Sequence, residues 1–337
     1  MSQETTLFDL KPPYLFDYSV KPKVLYVADV PNWSFDIKGH QYRKYLPQFE
    51  IDIGYARRDL APEYGYWEDM MKKKKYDVIW HLHGYNVPSY DRWFSFVADQ
   101  NKRGTQIILT QNEVTPLELI KNDLRRYAVF NALSVNNPWA HENFTKAGFS
   151  NVYTTFDGVD LHVFGHDKPI QKRKFKVFFS SSIVRLDHKG YPIWQRVKEL
   201  LSHRTDIEFV ELLTDSFNNK RTPEEMNSLY NECQVFVCLS ISEGGPCTLH
   251  EAAACGCVPI MTKVGYCDYF KNLFIIDRNA EACAEKIVFL KDNPDVLVKM
   301  SRGISKEILP WHDKFMSQHW GNFVQQSLLK KKGIKLP

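Results

Sequence analysis

The chain has no apolar run near the roughly 18 residues that a membrane-spanning helix requires. Its longest apolar stretch, around Ala252–Met261, is broken by Gly256 and Pro259. The N-terminal stretch Met1–Lys11 is polar and carries Glu4 and Asp9, with neither the basic start nor the apolar block of a signal peptide. The cytoplasm is therefore the expected compartment. No Cys-x-x-Cys pair occurs, and the seven cysteines all lie between Cys233 and Cys283. An odd number cannot pair fully, and a zinc site normally shows paired ligands at that spacing. Buried, reduced thiols are the expectation, with no metal site. A strong charge of one sign is also missing: 44 basic and 40 acidic side chains leave +4. That permits an anionic partner without demanding one.

Aromatic residues are plentiful, with 22 Phe, 17 Tyr and 8 Trp among 337 residues. So much apolar surface excludes disorder as the dominant state, and the length allows two domains. Short apolar runs alternate with amphipathic segments. Strands are expected at Lys23–Val30, Phe49–Tyr55, Tyr76–Leu82, Thr105–Thr110 and Ala132–Val135. Helices are expected at Gly39–Leu46, Trp67–Lys75, Asp91–Arg103, Pro116–Val129 and Asn137–Ala147. This alternation is the signature of a parallel sheet covered on both faces. It stops near Phe156–Val159. The charged stretch Asp167–Lys176 then reads as a linker. The alternation restarts at Phe175–Ser180 and runs through Ile207–Leu213, Val235–Leu239 and Val258–Thr262, with Val296–Leu329 helical in tendency. Two α/β domains in tandem would make a cleft where the C-terminal strand ends face.

The most informative segment is Ser240–Gly265, SISEGGPCTLHEAAACGCVPIMTKVG. Glu243 follows a strand, Gly244, Gly245 and Pro246 make a tight loop, and Thr248 and Leu249 open a helix carrying Glu251. A Gly-rich turn lets backbone amides approach a ligand. A helix N-terminus offers N–H groups and a positive dipole end to a diphosphate. Carboxylates accept hydrogen bonds from a ribose diol or a sugar ring, because every hydroxyl is a donor. Thr248-x-x-Glu251 also fits a capping box, which needs no ligand.

The segment resembles the E-x7-E motif of retaining glycosyltransferases with the GT-B fold, the family 4-like group. Ser180–Gly190 (SSSIVRLDHKG) is similar to the segment in which Arg and Lys hold the donor diphosphate, which implies that role for Arg185 and Lys189. Ile183-Val184 stands where a Gly usually precedes the Arg. Phe156–Asp160 (FDGVD) resembles the family's Asn-Gly-Val-Asp turn entering the hinge. Asp77–Gly84 (DVIWHLHG) resembles a strand ending in His-x-His, which implies that His83 faces the donor; His81, one pleat further inside, reads as structural. Of the Gly-Gly pair expected after the first strand, only Gly39 matches.

The resemblance implies two Rossmann-like domains facing each other across a cleft. They would be an acceptor-side domain over residues 1–158 and a nucleotide-sugar domain over 159–310, with 311–337 holding a helix that crosses back to the first domain and a basic tail. It implies a retaining transfer of a sugar from a nucleoside diphosphate, UDP foremost, to an acceptor hydroxyl. Catalytic roles would fall to Glu243, His83, Arg185 and Lys189. Donor binding would fall to Gly244, Gly245, Pro246, Thr248, Leu249, Glu251 and Gly39. No Asp-x-Asp motif occurs, so no cofactor is required, although dissolved Mg²⁺ could assist. The acceptor stays open among glycan, lipid-linked sugar, small molecule, protein and nucleic acid, including a modified DNA base. The basic groups Lys72–Lys75, Lys172–Lys176 and Lys330–Lys335 leave DNA or an anionic membrane surface as candidate partners. Two other classes share these features: a sugar-nucleotide 2-epimerase of the same fold, and a non-catalytic sugar-nucleotide-binding module.

Overall fold

A computed structural model describes residues 20–29, 31, 34–57, 65–82, 90–111, 116–214, 219 and 221–331. The chain forms two α/β units. Among the described residues, unit 1 runs to Phe156 and resumes at Met316, and unit 2 holds Asp157–Phe315.

Unit 1 contains strands β1 (Lys23–Ala28), β2 (Glu50–Tyr55), β3 (Val78–Leu82), β4 (Gln106–Gln111), β5 (Ala132–Val135) and β6 (Val152–Thr154). Its helices are α1 (Ser34–Tyr45), α2 (Trp67–Lys73), α3 (Tyr90–Lys102), α4 (Leu117–Asn122), α5 (Leu124–Ala128) and α6 (Pro138–Lys146). The strands form one parallel sheet in the order β2-β1-β3-β4-β5-β6. Strand β4 is buried along its whole length, as a strand covered on both faces must be.

Side-chain alternation divides the strands between two cores. Val24, Tyr26, Val78, Trp80 and Ile108 face one way and pack against Tyr42 and Leu46 of the α1 region. Leu25, Val27, Ile79, Ile107 and Leu109 face the other and pack against Trp67, Val97, Ile120 and Phe144. Trp80 stacks on Tyr42 with centroids 5.1 Å apart. Its indole N–H donates to Thr110 Oγ1 at 2.8 Å, so its one polar atom is satisfied in the core.

The segment 116–129, expected as one helix, is two, because Asp123 leaves helical geometry at φ −135°, ψ 44°. Asn and Asp side chains compete for nearby backbone groups and favour such breaks.

Unit 2 contains β7 (Lys176–Ser182), α7 (Leu186–Lys189), α8 (Tyr191–Leu200), β8 (Glu208–Thr214), α9 (Pro223–Glu232), β9 (Val235–Cys238), α10 (Cys247–Ala254), β10 (Val258–Thr262), β11 (Phe274–Ile276), α11 (Ala280–Asp292) and α12 (Pro294–Glu307). The final helix, α13 (Asp313–Lys331), begins here. From Met316 onward it belongs to unit 1, where Trp320, Phe323 and Val324 complete the core under Trp80. The unit 2 sheet is parallel, in the order β11-β10-β9-β7-β8. The strand order reverses between β7 and β9, and in open α/β sheets ligands bind at that switch point, beyond the C-terminal strand ends.

The charged stretch Asp167–Lys176 is not a linker. Arg173 is only 6% exposed. Its guanidinium donates to the carbonyls of Lys168, Tyr230, Cys233 and Cys255 and to Asn231 Oδ1. All seven cysteines are thiols; six are buried and Cys247 is half-buried. Burial pushes the thiols of Cys255 and Cys283 up to about 12, which keeps them protonated and inert.

Two enclosed histidines of unit 1, His81 buried and His319 half-buried, predict acid sensitivity. Burial lowers His81, fully enclosed in β3 with its ring edge on Trp67, to about 3. Burial lowers His319 of α13 to about 4. In the unfolded chain both titrate near 6.5, as free imidazole does. The stability they contribute is therefore complete above pH ~6.5 and is lost as pH falls toward the folded values, because the unfolded state takes up the protons first. By pH ~4.5 the loss from His81 alone should reach about 3 kcal/mol. Urea unfolding at pH 7 and 4.5 measures this, and His81→Gln should remove much of the difference.

Candidate active site

The switch point of unit 2 is built from two loops, one after β7 and one after β9. The first runs through Arg185 into α7 and turns at Gly190, where φ is +80°. A Cβ on Gly190 would lie 2.4 Å from the Leu239 carbonyl oxygen. Only glycine lets the first loop lie so close against the end of β9. The Ile241 N–H donates to the His188 carbonyl at 2.9 Å, and His188 Nε2 shares a hydrogen bond with Ser242 Oγ at 3.1 Å. Arg278 ties the two loops from outside, donating to the carbonyls of Leu239 (2.9 Å) and Asp187 (2.7 Å).

This joining brings Lys189 to Glu243, with Lys189 Nζ donating to Glu243 Oε1. Ser240 Oγ donates to the same oxygen at 2.6 Å, and the Ser240 carbonyl accepts from Thr262 Oγ1 at 2.7 Å. Burial pulls the Lys189 pKa down, but the charge and hydrogen bond of Glu243 outweigh it, so the net direction is up. The Arg185 guanidinium, four residues earlier, acts on Lys189 in the opposite sense. The turn before Arg185 carries Ile183 and Val184 outward, 45% and 78% exposed.

Beyond Glu243, Gly244 is buried and Gly245 passes against the Tyr266 ring, where a Cβ would lie 2.3 Å from the hydroxyl oxygen. The Tyr266 hydroxyl accepts from the Asp157 N–H at 3.1 Å. The helix that follows starts one residue before Thr248, with Pro246 as its N-cap and no side-chain cap. Thr248-x-x-Glu251 is therefore not a capping box, and Glu251 is the fifth residue of α10 rather than part of its first turn. Instead, Glu251 Oε2 accepts from the Tyr230 hydroxyl at 3.0 Å. Leu249 is buried behind Thr248.

Two sequence expectations in unit 1 fare differently. His83 lies outside the described residues. Gly39 does not sit in the loop after β1. It lies inside α1, where a Cβ would come within 2.7 Å of the Tyr26 ring. Its small size serves helix-to-sheet packing.

The basic groups are largely engaged at home. Lys74 pairs with Glu50 and Asp52, Lys72 with Asp69, and Lys176 with Glu232. Lys332–Lys335 lies outside the described residues.

Residues 212–307 match the family described as Glycosyl transferases group 1. The matched stretch, less than half the chain, includes Glu243 and Glu251 of the site. No curated protein matches the chain in sequence.

In fold the chain is similar to sucrose-phosphate synthase from Thermosynechococcus elongatus, with a TM-score of 0.67 at 13% identity, over 90% of this chain and 98% of that one. It is equally similar to a glycosyltransferase from Rickettsia africae, at a TM-score of 0.67 and 14% identity, over 91% and 99% of the two chains. Anabaena HepE, solved in complex with UDP-glucose, follows at 0.63 and 11%, over 90% and 100%. At such identities the likeness shows the fold, which is GT-B. With the family match, it makes the chain a glycosyltransferase.

Proposed function

We propose that the enzyme moves a sugar from a nucleoside diphosphate, UDP being the expected nucleotide, to an acceptor hydroxyl with retention of anomeric configuration. The observation that carries this reading is the pairing of Lys189 with Glu243 at the switch point, with Arg185 beside them and Glu251 on the adjoining helix. The Anabaena HepE structures, solved in complex with UDP and glucose or with UDP-glucose, support UDP as the nucleotide.

Lys189 and Glu243 satisfy each other in this structure. A diphosphate offers Lys189 a stronger anionic partner, and sugar hydroxyls offer Glu243 new donors. Donor binding therefore exchanges one ion pair for several ligand contacts. As the bond from the anomeric carbon to the β-phosphate oxygen breaks, negative charge grows on the leaving diphosphate. Lys189, Arg185 and the N-terminal end of α10, entered through Gly244, Gly245 and Pro246, then stabilise that charge. Glu243 orients the sugar and Glu251 holds the ribose diol, steadied by Tyr230. The acceptor hydroxyl attacks the anomeric carbon from the face the diphosphate leaves and passes its proton to a departing phosphate oxygen. His83 is assigned to the donor by the His-x-His resemblance alone.

The test is incubation of the pure enzyme with UDP-, GDP- and dTDP-sugars without acceptor, followed by anion-exchange chromatography. Nucleotide released slowly from one donor, and lost in Glu243→Ala, is the expected result. A new sugar-nucleotide peak would mean epimerisation instead. If no donor reacts and no bare nucleotide binds, the reading fails.

A further inference from the structure

The chain enters unit 2 at Asp157 and leaves it after Phe315. Inside the unit these two segments are laced together by backbone. The Val159 N–H donates to the Trp311 carbonyl at 3.0 Å, and the Asp313 N–H donates to the Val159 carbonyl at 2.9 Å. Gly158 permits this approach: a Cβ there would lie 2.8 Å from the Trp311 carbonyl oxygen.

The junction gathers three metal-ligating side chains from positions far apart in sequence. One donor atom each from Asp160, His162 and His312 lies within 4.8 Å of the other two. The two imidazoles meet at 5.0 Å between centroids and 72° between planes. Asp160 is held in place by accepting the His162 N–H on Oδ1 at 3.0 Å. An ion about 2.0–2.2 Å from each ligand needs donor atoms roughly 3–4.4 Å apart, so small side-chain rotations close the set.

We propose that Asp160, His162 and His312 bind a divalent transition-metal ion that fastens the entry of unit 2 to its exit. Two imidazoles and one carboxylate suit Zn²⁺ and its neighbours rather than Mg²⁺ or Ca²⁺, which prefer all-oxygen shells. Ligation replaces the long contact of the Lys314 N–H with His312 Nδ1 (3.3 Å), since a metal-bound neutral imidazole keeps its proton on its other nitrogen. The three residues take no part in the proposed sugar transfer, so the site stands or falls independently of it.

The probe is Zn²⁺ titrated calorimetrically into EDTA-treated full-length protein, with Co²⁺ as a spectroscopic substitute. One equivalent should bind and raise Tm. His162→Gln and His312→Gln should each lower the affinity by at least ~100-fold, the scale set by losses of mere outer-shell partners, and should abolish the Tm rise. His162 is exposed, so His162→Gln should keep its metal-free Tm, which separates lost binding from lost folding. Bound Co²⁺ should show d–d absorption without a thiolate charge-transfer band. Equal Zn²⁺ affinity in the wild type and both variants, a thiolate band, or no binding at all overturns the proposal.

Discussion

Glu243→Ala should lower kcat by about 10²–10³-fold, the loss found when a preorganised transition-state contact is removed. Affinity for the bare nucleotide should change by less than about threefold, since the carboxylate is assigned to sugar and not to nucleotide. The variant also leaves the half-buried Lys189 without its ion pair. Burial already pulls the Lys189 pKa down and Glu243 reverses that, so without Glu243 the pKa should fall. In the wild type the folded pKa is raised. The pair's contribution to stability is then full below the unfolded lysine value near 10.4 and is lost as pH rises through the folded one. Glu243→Ala should remove that alkaline step from a stability-versus-pH curve. Loss of turnover with the step intact would mean that the carboxylate acts without pairing to Lys189.

Arg173→Ala should destabilise unit 2 by about 3–5 kcal/mol, enough to unfold a marginal domain. One guanidinium serves four backbone carbonyls and Asn231. Removing it strands these acceptors inside the protein and opens a cavity beside Cys255. Arg173→Lys should recover only part of the loss, because a point-like ammonium with three donors cannot reach five acceptors. Urea midpoints of the three proteins decide this. A midpoint for Arg173→Ala equal to that of wild type would show that the carbonyls find other donors.

Strands were the most legible part of the chain. Parallel strands covered on both faces are unbroken apolar runs, and Ala132–Val135 and Val258–Thr262 fall where their sequences predict. Glu243 stands out because a Gly-rich loop between a strand and a helix is a local pattern, whereas Lys189 is singled out only by the family resemblance. Features that depend on distant partners could not. Arg173 looked like linker charge, since its acceptors lie on α9, its flanks and the end of α10. Tyr230 and Arg278 carry no local signal of the site, yet one steadies Glu251 and the other ties the two loops. Gly39 has the right type at the expected sequence distance, but α1 starts at Ser34 and carries it into the packing against Tyr26. The Asp160, His162 and His312 cluster needs a parallel bridge between Val159 and His312 that no spacing rule reveals.

The central claim is that the switch point of unit 2 takes a nucleotide-sugar with its nucleotide on Glu251. Calorimetric titration of UDP into wild type, Glu243→Ala and Glu251→Ala tests it most directly. Wild type and Glu243→Ala should bind alike, and Glu251→Ala should bind about 10–100-fold more weakly, the worth of hydrogen bonds to a charged group. Undiminished UDP binding by Glu251→Ala would contradict the account.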